Sequence, residues 1–352
     1  MSTLRQKTRR LLLTLLAKLI RTLILTIARL ILKTKPNPDS IEYILASTPT
    51  TNNTNISSKN PTHRLKIHIY NPSLSSSPHQ PSPPTTPTPV LITLPGTGFI
   101  TPSLGLDAPY CASIASSTAY TVIDVGYRLA PENPFPCALE DLVSVTNWVR
   151  SQPDRFDIQR IWVGGFSAGG NIAISGAVSY LGRGVVRGIV GIYPVVDAHL
   201  SSENGEGDGG KNGNGVVKGR GRPEHGGLAS VPGFLMRFFR ACYLIDTPFC
   251  SRSDEDVLRD PRVSPIHADV DRFPARCLFI TAEHDSLAKG AEDLAERIRR
   301  GSTDGGEEER RVVVHRVSGC GHAFDKGVKK GSERERIRDA VYEVIAGFLR
   351  EG

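Results

Sequence analysis

At 352 residues, 39% of them hydrophobic and 22% charged, the chain is long enough for one large domain or two average ones and apolar enough for a sizeable core. The net charge of +7 belongs to the first 35 residues, which hold nine Lys or Arg and no Asp or Glu; the remainder carries 34 basic against 36 acidic residues. With no basic stripe interleaved with aromatics in the body, this excludes nucleic acid as a partner, and six scattered cysteines exclude a disulfide framework.

The chain opens on fourteen Leu or Ile residues between Leu11 and Leu32, interrupted by Lys18, Arg21 and Arg29. On a membrane-insertion scale, about −0.5 kcal/mol per aliphatic is offset by about +3 kcal/mol per central charge, which argues against a spanning helix. At helical spacing Arg10, Thr14, Lys18, Arg21, Thr22, Thr26, Arg29 and Lys33 share one face and most leucines the other, with Leu25 intruding on the polar face. Residues 1–35 therefore read as a basic amphipathic helix for which a membrane surface is the expected partner, held by apolar burial and by anionic lipid. An acid-free, Arg-rich start is also the pattern of a mitochondrial targeting peptide. The charges inside the apolar region, and the lack of a small-residue cleavage site, argue against secretion. An intracellular, membrane-associated protein follows, at the endoplasmic reticulum, a lipid droplet or a mitochondrion.

Residues 36–62 read as a linker and 63–352 as the main domain. The stretches 47–62 and 71–89 are rich in Ser, Thr, Asn and Pro and predict surface loops. Asn52 and Asn55 head glycosylation acceptor triplets that matter only in a secretory lumen. Strand-like runs at 41–46 and 64–70 predict an antiparallel edge. Further runs at 89–94, 120–125, 160–164, 187–193, 276–281 and 311–317 alternate with helical stretches at 106–117, 137–151, 168–181, 289–300 and 334–350. That alternation predicts an α/β fold with a mostly parallel central sheet flanked by helices. The stretch 201–227 has ten glycines and no aromatic residue; it cannot bury enough surface to offset its ordering cost and is expected to be disordered. Cys242 and Cys250 stand close enough in sequence to pair in an oxidising compartment; the six thiols otherwise read as reduced and mostly buried.

The chemistry is carried by Gly165-Phe166-Ser167-Ala168-Gly169, which follows the strand-like Arg160–Val163 and opens a helix. A serine on so sharp a strand-to-helix turn needs glycine on both sides and presents its hydroxyl at the positive end of a helix. Asp285 follows the apolar run Cys277–Ile280, and His322 follows Val312–Val317. Nucleophile, acid and histidine thus occur in α/β-hydrolase order, each just past the carboxyl end of a strand. Ser167 is the expected nucleophile, His322 the general base and Asp285 the group that fixes its tautomer. No zinc-spaced Cys/His cluster, phosphate loop or dinucleotide fingerprint is present, so no cofactor or metal is expected.

Three stretches resemble the hormone-sensitive-lipase-like branch of the α/β-hydrolases, the α/β-hydrolase-3 group. They are 124–141, with Tyr127-Arg128-Leu129-Ala130-Pro131-Glu132; the elbow from Gly165 to Asn171, with Phe166 where an acidic or small polar residue is usual; and Asp260-Pro261-Arg262-Val263-Ser264-Pro265. The resemblance runs from about residue 89 to the C-terminus and implies an α/β-hydrolase fold with a helical cap inserted at about 198–259. The apolar cluster 231–244 is then either a cap helix lining the pocket or a patch packed on the body. The N-terminal helix has a second reading as part of the lid. In the oxyanion loop, Pro95-Gly96-Thr97-Gly98-Phe99 replaces the family's His-Gly-Gly-Gly-Phe. By alignment the N–H groups of Thr97, Gly98 and Ala168 form the oxyanion hole, although threonine adopts positive φ less readily than glycine and Pro95 removes a bracing ring. The resemblance implies a carboxylic ester hydrolase acting on a small or lipophilic small-molecule ester. Lactone or amide hydrolysis and acyl transfer use the same triad, and some family members only bind small ligands in the old pocket; the body could also be a scaffold on a membrane tether.

Overall fold

Eight strands form one sheet: β1 (Ser40–Ser47), β2 (Thr62–Tyr70), β3 (Thr88–Leu94), β4 (Thr121–Gly126), β5 (Phe156–Phe166), β6 (Gly188–Ile192), β7 (Arg276–Ala282) and β8 (Arg311–Val317). Their spatial order is β1-β2-β4-β3-β5-β6-β7-β8. The computed structural model describes residues 2–31, 35–47, 62–72, 86–199, 223–228, 231–245, 254–301 and 310–352. Most of both Pro/Ser/Thr-rich stretches, residues 201–222 and Cys250 lie outside them; Cys111, Cys137, Cys242, Cys277 and Cys320 are free thiols.

β1 pairs antiparallel with β2, and β2 antiparallel with β4, whereas every other pairing is parallel. The edge expected from 41–46 and 64–70 is therefore present, and part of the stretch read as a 36–62 linker belongs to the sheet. The side chains explain the position of each strand. In β1, Ile44 and Ala46 are buried while Ile41, Tyr43 and Leu45 are exposed, the alternation of a strand with one face in water. β3 is buried along its whole length, as a parallel strand covered on both faces must be.

Helices cover the two faces. On one side lie α3 (Cys137–Arg150), α4 (Ala168–Gly176) and a helix at Ala288–Arg300, packed on Val90, Ile92, Val163, Ile189 and Phe279. On the other, α2 (Ala108–Ser117) and a helix at Glu333–Arg350 pack on Leu91, Val122, Trp162, Val190 and Ile280. The helix expected over 168–181 is α-helical to Gly176 and finishes in a wider π turn, Ala177–Leu181. In chain order the remaining helices are α1 (Ser2–Ile31), α5 (Gly233–Tyr243) and α6 (Asp254–Leu258), so that Ala288–Arg300 is α7 and Glu333–Arg350 is α8.

Arg128 fastens the start of α3. Its N–H groups reach Asp141, Glu140 and the carbonyl of Cys137 at 2.8 to 2.9 Å, and Asp141 also accepts from His63 at 2.8 Å. Asp124, within β4, is less well served: Gly105 N–H donates to Oδ2 at 2.9 Å, but Oδ1 has no partner among the described residues. Burial pushes its carboxyl up to about 8, with Asp107 adding to the effect and Lys326 and Lys35 opposing it. Folding therefore favours the protonated form. The stability it contributes is full below the ordinary carboxylate range and is lost as pH rises toward 8. Asp124→Asn should flatten that dependence, making the variant more stable than the parent at pH 9 by roughly 2 kcal/mol and no more stable at pH 4. Urea unfolding at the two pH values measures this; equal differences at both would contradict it.

Candidate active site

β5 ends at Phe166, α4 begins at Ala168, and the single residue between them, Ser167, has φ 50° and ψ −114°. A non-glycine residue in that region is strained and persists only where its surroundings over-determine it. They do so here. Ser167 N–H donates to Ile192 O at 2.9 Å on β6, and its carbonyl accepts from Asn171 and Val195 at 3.0 and 3.2 Å. Asn171 then donates through Nδ2 to the carbonyls of Val195 and Val263, both at 2.9 Å, which ties the elbow to the Asp260–Pro265 segment. The flanking glycines are required by close approach: a Cβ on Gly165 would stand 2.6 Å from the carbonyl oxygen of Leu94, and one on Gly169 would overlap that same oxygen.

The three residues expected to act together do meet. Ser167 Oγ lies 3.0 Å from His322 Nε2, and His322 Nδ1 lies 2.8 Å from Asp285 Oδ2. The other oxygen of Asp285 accepts from Leu287 N–H at 3.0 Å, so the fully buried carboxylate is oriented from both ends. With Asp285 accepting from Nδ1–H, His322 offers Nε2 as a base toward the serine hydroxyl. The histidine backbone is clamped by a two-way bridge with Leu228, His322 N–H to Leu228 O at 2.6 Å and the return bond at 2.8 Å. The last residues of the glycine-rich stretch expected to lack structure, with Leu228, thus contribute a brace for the His322 backbone.

Below the histidine lies a support that sequence spacing does not disclose. The ring of Tyr193, at the end of β6, stands edge-on to His322 with centroids 4.8 Å apart. Its hydroxyl donates to Asp325 Oδ1 at 2.6 Å, and Tyr342 donates to Oδ2 at 3.1 Å. Lys326 pairs with both Asp325 and Asp107, and its ammonium sits 3.6 Å from the centroid of the Phe166 ring. Burial works against the charge on Asp325, yet Lys326 and the two tyrosine hydroxyls hold its carboxyl below the usual range. Phe166 therefore presents an aromatic face to a lysine that finds its carboxylates elsewhere. The signal available in sequence is the tyrosine at a strand's carboxyl end.

The oxyanion loop resolves the threonine conflict by moving the left-handed residues along. Gly98 and Phe99 take positive φ, 57° and 66°, and Thr97 does not. Thr97 Oγ1 hydrogen-bonds the Tyr127 hydroxyl, which donates to Pro95 O at 3.0 Å. Tyr127, first residue of the family string, so braces a loop that has lost its histidine. Among the described residues the N–H groups of Thr97, Gly98 and Ala168 have no protein acceptor. Gly98 and Ala168 line the cavity beside Ser167, and Thr97 is set back from it and buried.

That cavity has a volume of about 180 Å³ and is walled mainly by apolar groups, among them Phe99, Val195, Met236, Phe239, Tyr243 and Leu244. The cluster at 231–244 serves both of its readings: Met236, Phe239 and Tyr243 of α5 face the cavity, while Cys242 and Tyr243 are buried in the core. Phe99 stacks on Tyr243 with ring centroids 3.9 Å apart, joining cap to oxyanion loop.

α1 lies over this region. Ala17 is fully buried, with Leu13 and Ile20 packed beside it, and Arg10 and Arg21 turn toward Glu132 of the body. Two cations of the expected solvent-facing polar side thus point inward, while Leu11, Leu12, Leu15, Leu19 and Leu23 are exposed. No helix among the described residues is long and apolar enough to cross a membrane.

A family model described as the alpha/beta hydrolase fold matches residues 91–220. The chain is 30% identical over 157 residues to a 3-O-acetylpapaveroxine carboxylesterase of Papaver somniferum, covering 39% of this chain and 47% of the relative. It is 33% identical over 141 residues to an ethyl acetate hydrolase of Pseudomonas putida, covering 39% and 42%. The chain therefore spans less than half the length of these curated relatives. A solved esterase of Pyrobaculum calidifontis shares 26% identity with a TM-score of 0.68, over 95% of this chain and 92% of that one. The matched stretch contains both the Tyr127–Glu132 string and the serine elbow, and the archaeal enzyme follows the same path along nearly the whole chain; the chain has the α/β-hydrolase fold, and its residues 91–220 match the model of the α/β-hydrolase-3 family, the hormone-sensitive-lipase-like branch.

Proposed function

We propose that the protein hydrolyses carboxylic esters through Ser167, His322 and Asp285. The observation that carries this reading is the unbroken hydrogen-bonded line from Ser167 Oγ to His322 to a buried Asp285, opening on an apolar cavity. His322 Nε2 takes the hydroxyl proton as Oγ attacks the acyl carbon, and Asp285 stabilises the imidazolium that forms. The oxyanion is met by the N–H groups of Gly98, Ala168 and Thr97. The imidazolium then protonates the leaving alcohol, and water, activated by the same histidine, clears the acyl-enzyme.

The cavity's size and apolar walls favour a short, uncharged acyl group on a lipophilic alcohol. The named relatives support this, one being a carboxylesterase of an O-acetyl compound and another an ethyl acetate hydrolase. Against a panel of p-nitrophenyl esters, kcat/KM for acetate and butyrate should exceed that for palmitate at least roughly tenfold. A rising preference for long chains would sink the short-acyl assignment.

The same reading extends to location. The exposed leucines of α1, with Lys7, Arg9 and Lys18 also exposed, make a surface suited to an intracellular membrane rich in anionic lipid. Co-sedimentation with phosphatidylcholine vesicles containing phosphatidylglycerol should capture the protein, and L12S/L19S/L23S should release it. Equal recovery with the variant would refute this use of α1.

A further inference from the structure

We propose that Arg21, on the N-terminal helix, is a positioning residue for the oxyanion hole; the inference rests on the hydrolase reading of the site. The loop that carries the Thr97 and Gly98 N–H groups includes two consecutive left-handed residues, Gly98 and Phe99. For Phe99 that conformation is disfavoured and needs outside support. Inside the loop the support is slight: Ile100 and Thr101 N–H donate to Thr97 O at 3.2 and 3.0 Å, closing a single turn. Phe99 O accepts from Ala130 N–H at 3.0 Å, which links the turn to the neighbouring segment of the Tyr127–Glu132 string.

Arg21 completes that link from outside. Its Nε donates to Ile100 O at 2.5 Å and its Nη2 to Ala130 O at 2.7 Å, so one guanidinium bridges the carbonyls on either side of the Phe99–Ala130 bond. Its Nη1 and Nη2 meet the two carboxylate oxygens of Glu132 at 2.7 and 2.8 Å. A planar fork can satisfy four acceptor oxygens fixed at different angles; an ammonium, a single point of charge with three donors, cannot hold all of them. Docking of α1 has other means, since Leu13, Ala17 and Ile20 pack on the core and Arg10 reaches Glu132 O at 3.4 Å. The carbonyls held by Arg21 belong to the oxyanion loop and its partner segment. The element with the exposed leucines thus also sets the geometry of the hole, and a surface that moves α1 acts on catalysis.

The test uses the full chain with a soluble short-chain ester. R21Q should lower kcat about 10- to 100-fold with KM within about twofold, because the hole acts in the transition state more than in binding. R21K should not restore kcat, although it restores the charge. Amide hydrogen exchange at residues 97–101 should rise in both variants, with exchange in β5 and β6 unchanged. Rescue by R21K, an unaltered kcat in R21Q, or unchanged exchange in the loop would overturn the proposal. The exchange measurement reads the loop without turnover, so failure of Arg21 to matter is distinct from failure of the hydrolase reading, which a parent protein inert toward esters would show.

Discussion

Ser167→Ala should lower kcat toward every ester by about 10⁶, leaving thermal stability close to that of the parent. The hydroxyl makes one described hydrogen bond, to His322, whereas the strained backbone at residue 167 is held by main-chain partners that alanine keeps. The substitution therefore removes the nucleophile and little else. Steady-state kinetics beside a thermal melt separate the two effects. Residual turnover above about one part in a hundred, in protein free of parent enzyme, would place the nucleophile elsewhere.

Asp285→Asn is expected to be nearly as damaging, with kcat lower by about 10⁴ and KM little changed. The amide can still accept from Leu287 N–H, so the turn after β7 should survive. What changes is the proton on His322: an amide N–H facing Nδ1 makes that nitrogen the acceptor and puts the ring proton on Nε2, facing a serine hydroxyl that needs a base. Measured kcat and KM for a single activated ester test this. A loss confined to KM would mean that Asp285 shapes the pocket and does not set the tautomer.

Both predictions concern residues whose proposed roles can be read from the amino-acid sequence. Ser167, Asp285 and His322 can be read because each stands at the end of an apolar strand-like run, and the order of the three belongs to one way of winding a parallel sheet. The β1 and β2 edge is legible for a related reason, since alternation of apolar and polar residues reports one face in water. Periodicity says which side of a helix is apolar but not what a cation on the other side will meet. In α1 it places Arg10 and Arg21 with the polar residues, and both face Glu132, more than a hundred positions away.

The oxyanion loop shows a second limit. Thr97 in place of glycine implies strain at that residue, but the chain relocates the left-handed backbone to Gly98 and Phe99 and gives the threonine hydroxyl to Tyr127. Such an exchange depends on two loops meeting, as does the support of His322 by Tyr193 and Asp325, which are 132 residues apart. The match of Phe166 with Lys326 is of the same kind: an unusual residue in a motif is explained by a partner from another strand's exit.

Whether Ser167 is an activated nucleophile decides between a hydrolase and a protein that only binds. Treatment of the full-length protein with a fluorophosphonate, followed by mass spectrometric location of the adduct, measures this without knowledge of the natural ester. Modification at Ser167 alone, absent from Ser167→Ala and strongly slowed by Asp285→Asn, is the predicted result. Folded protein that remains unmodified would contradict the hydrolase reading and leave the same cavity as a site for binding small ligands.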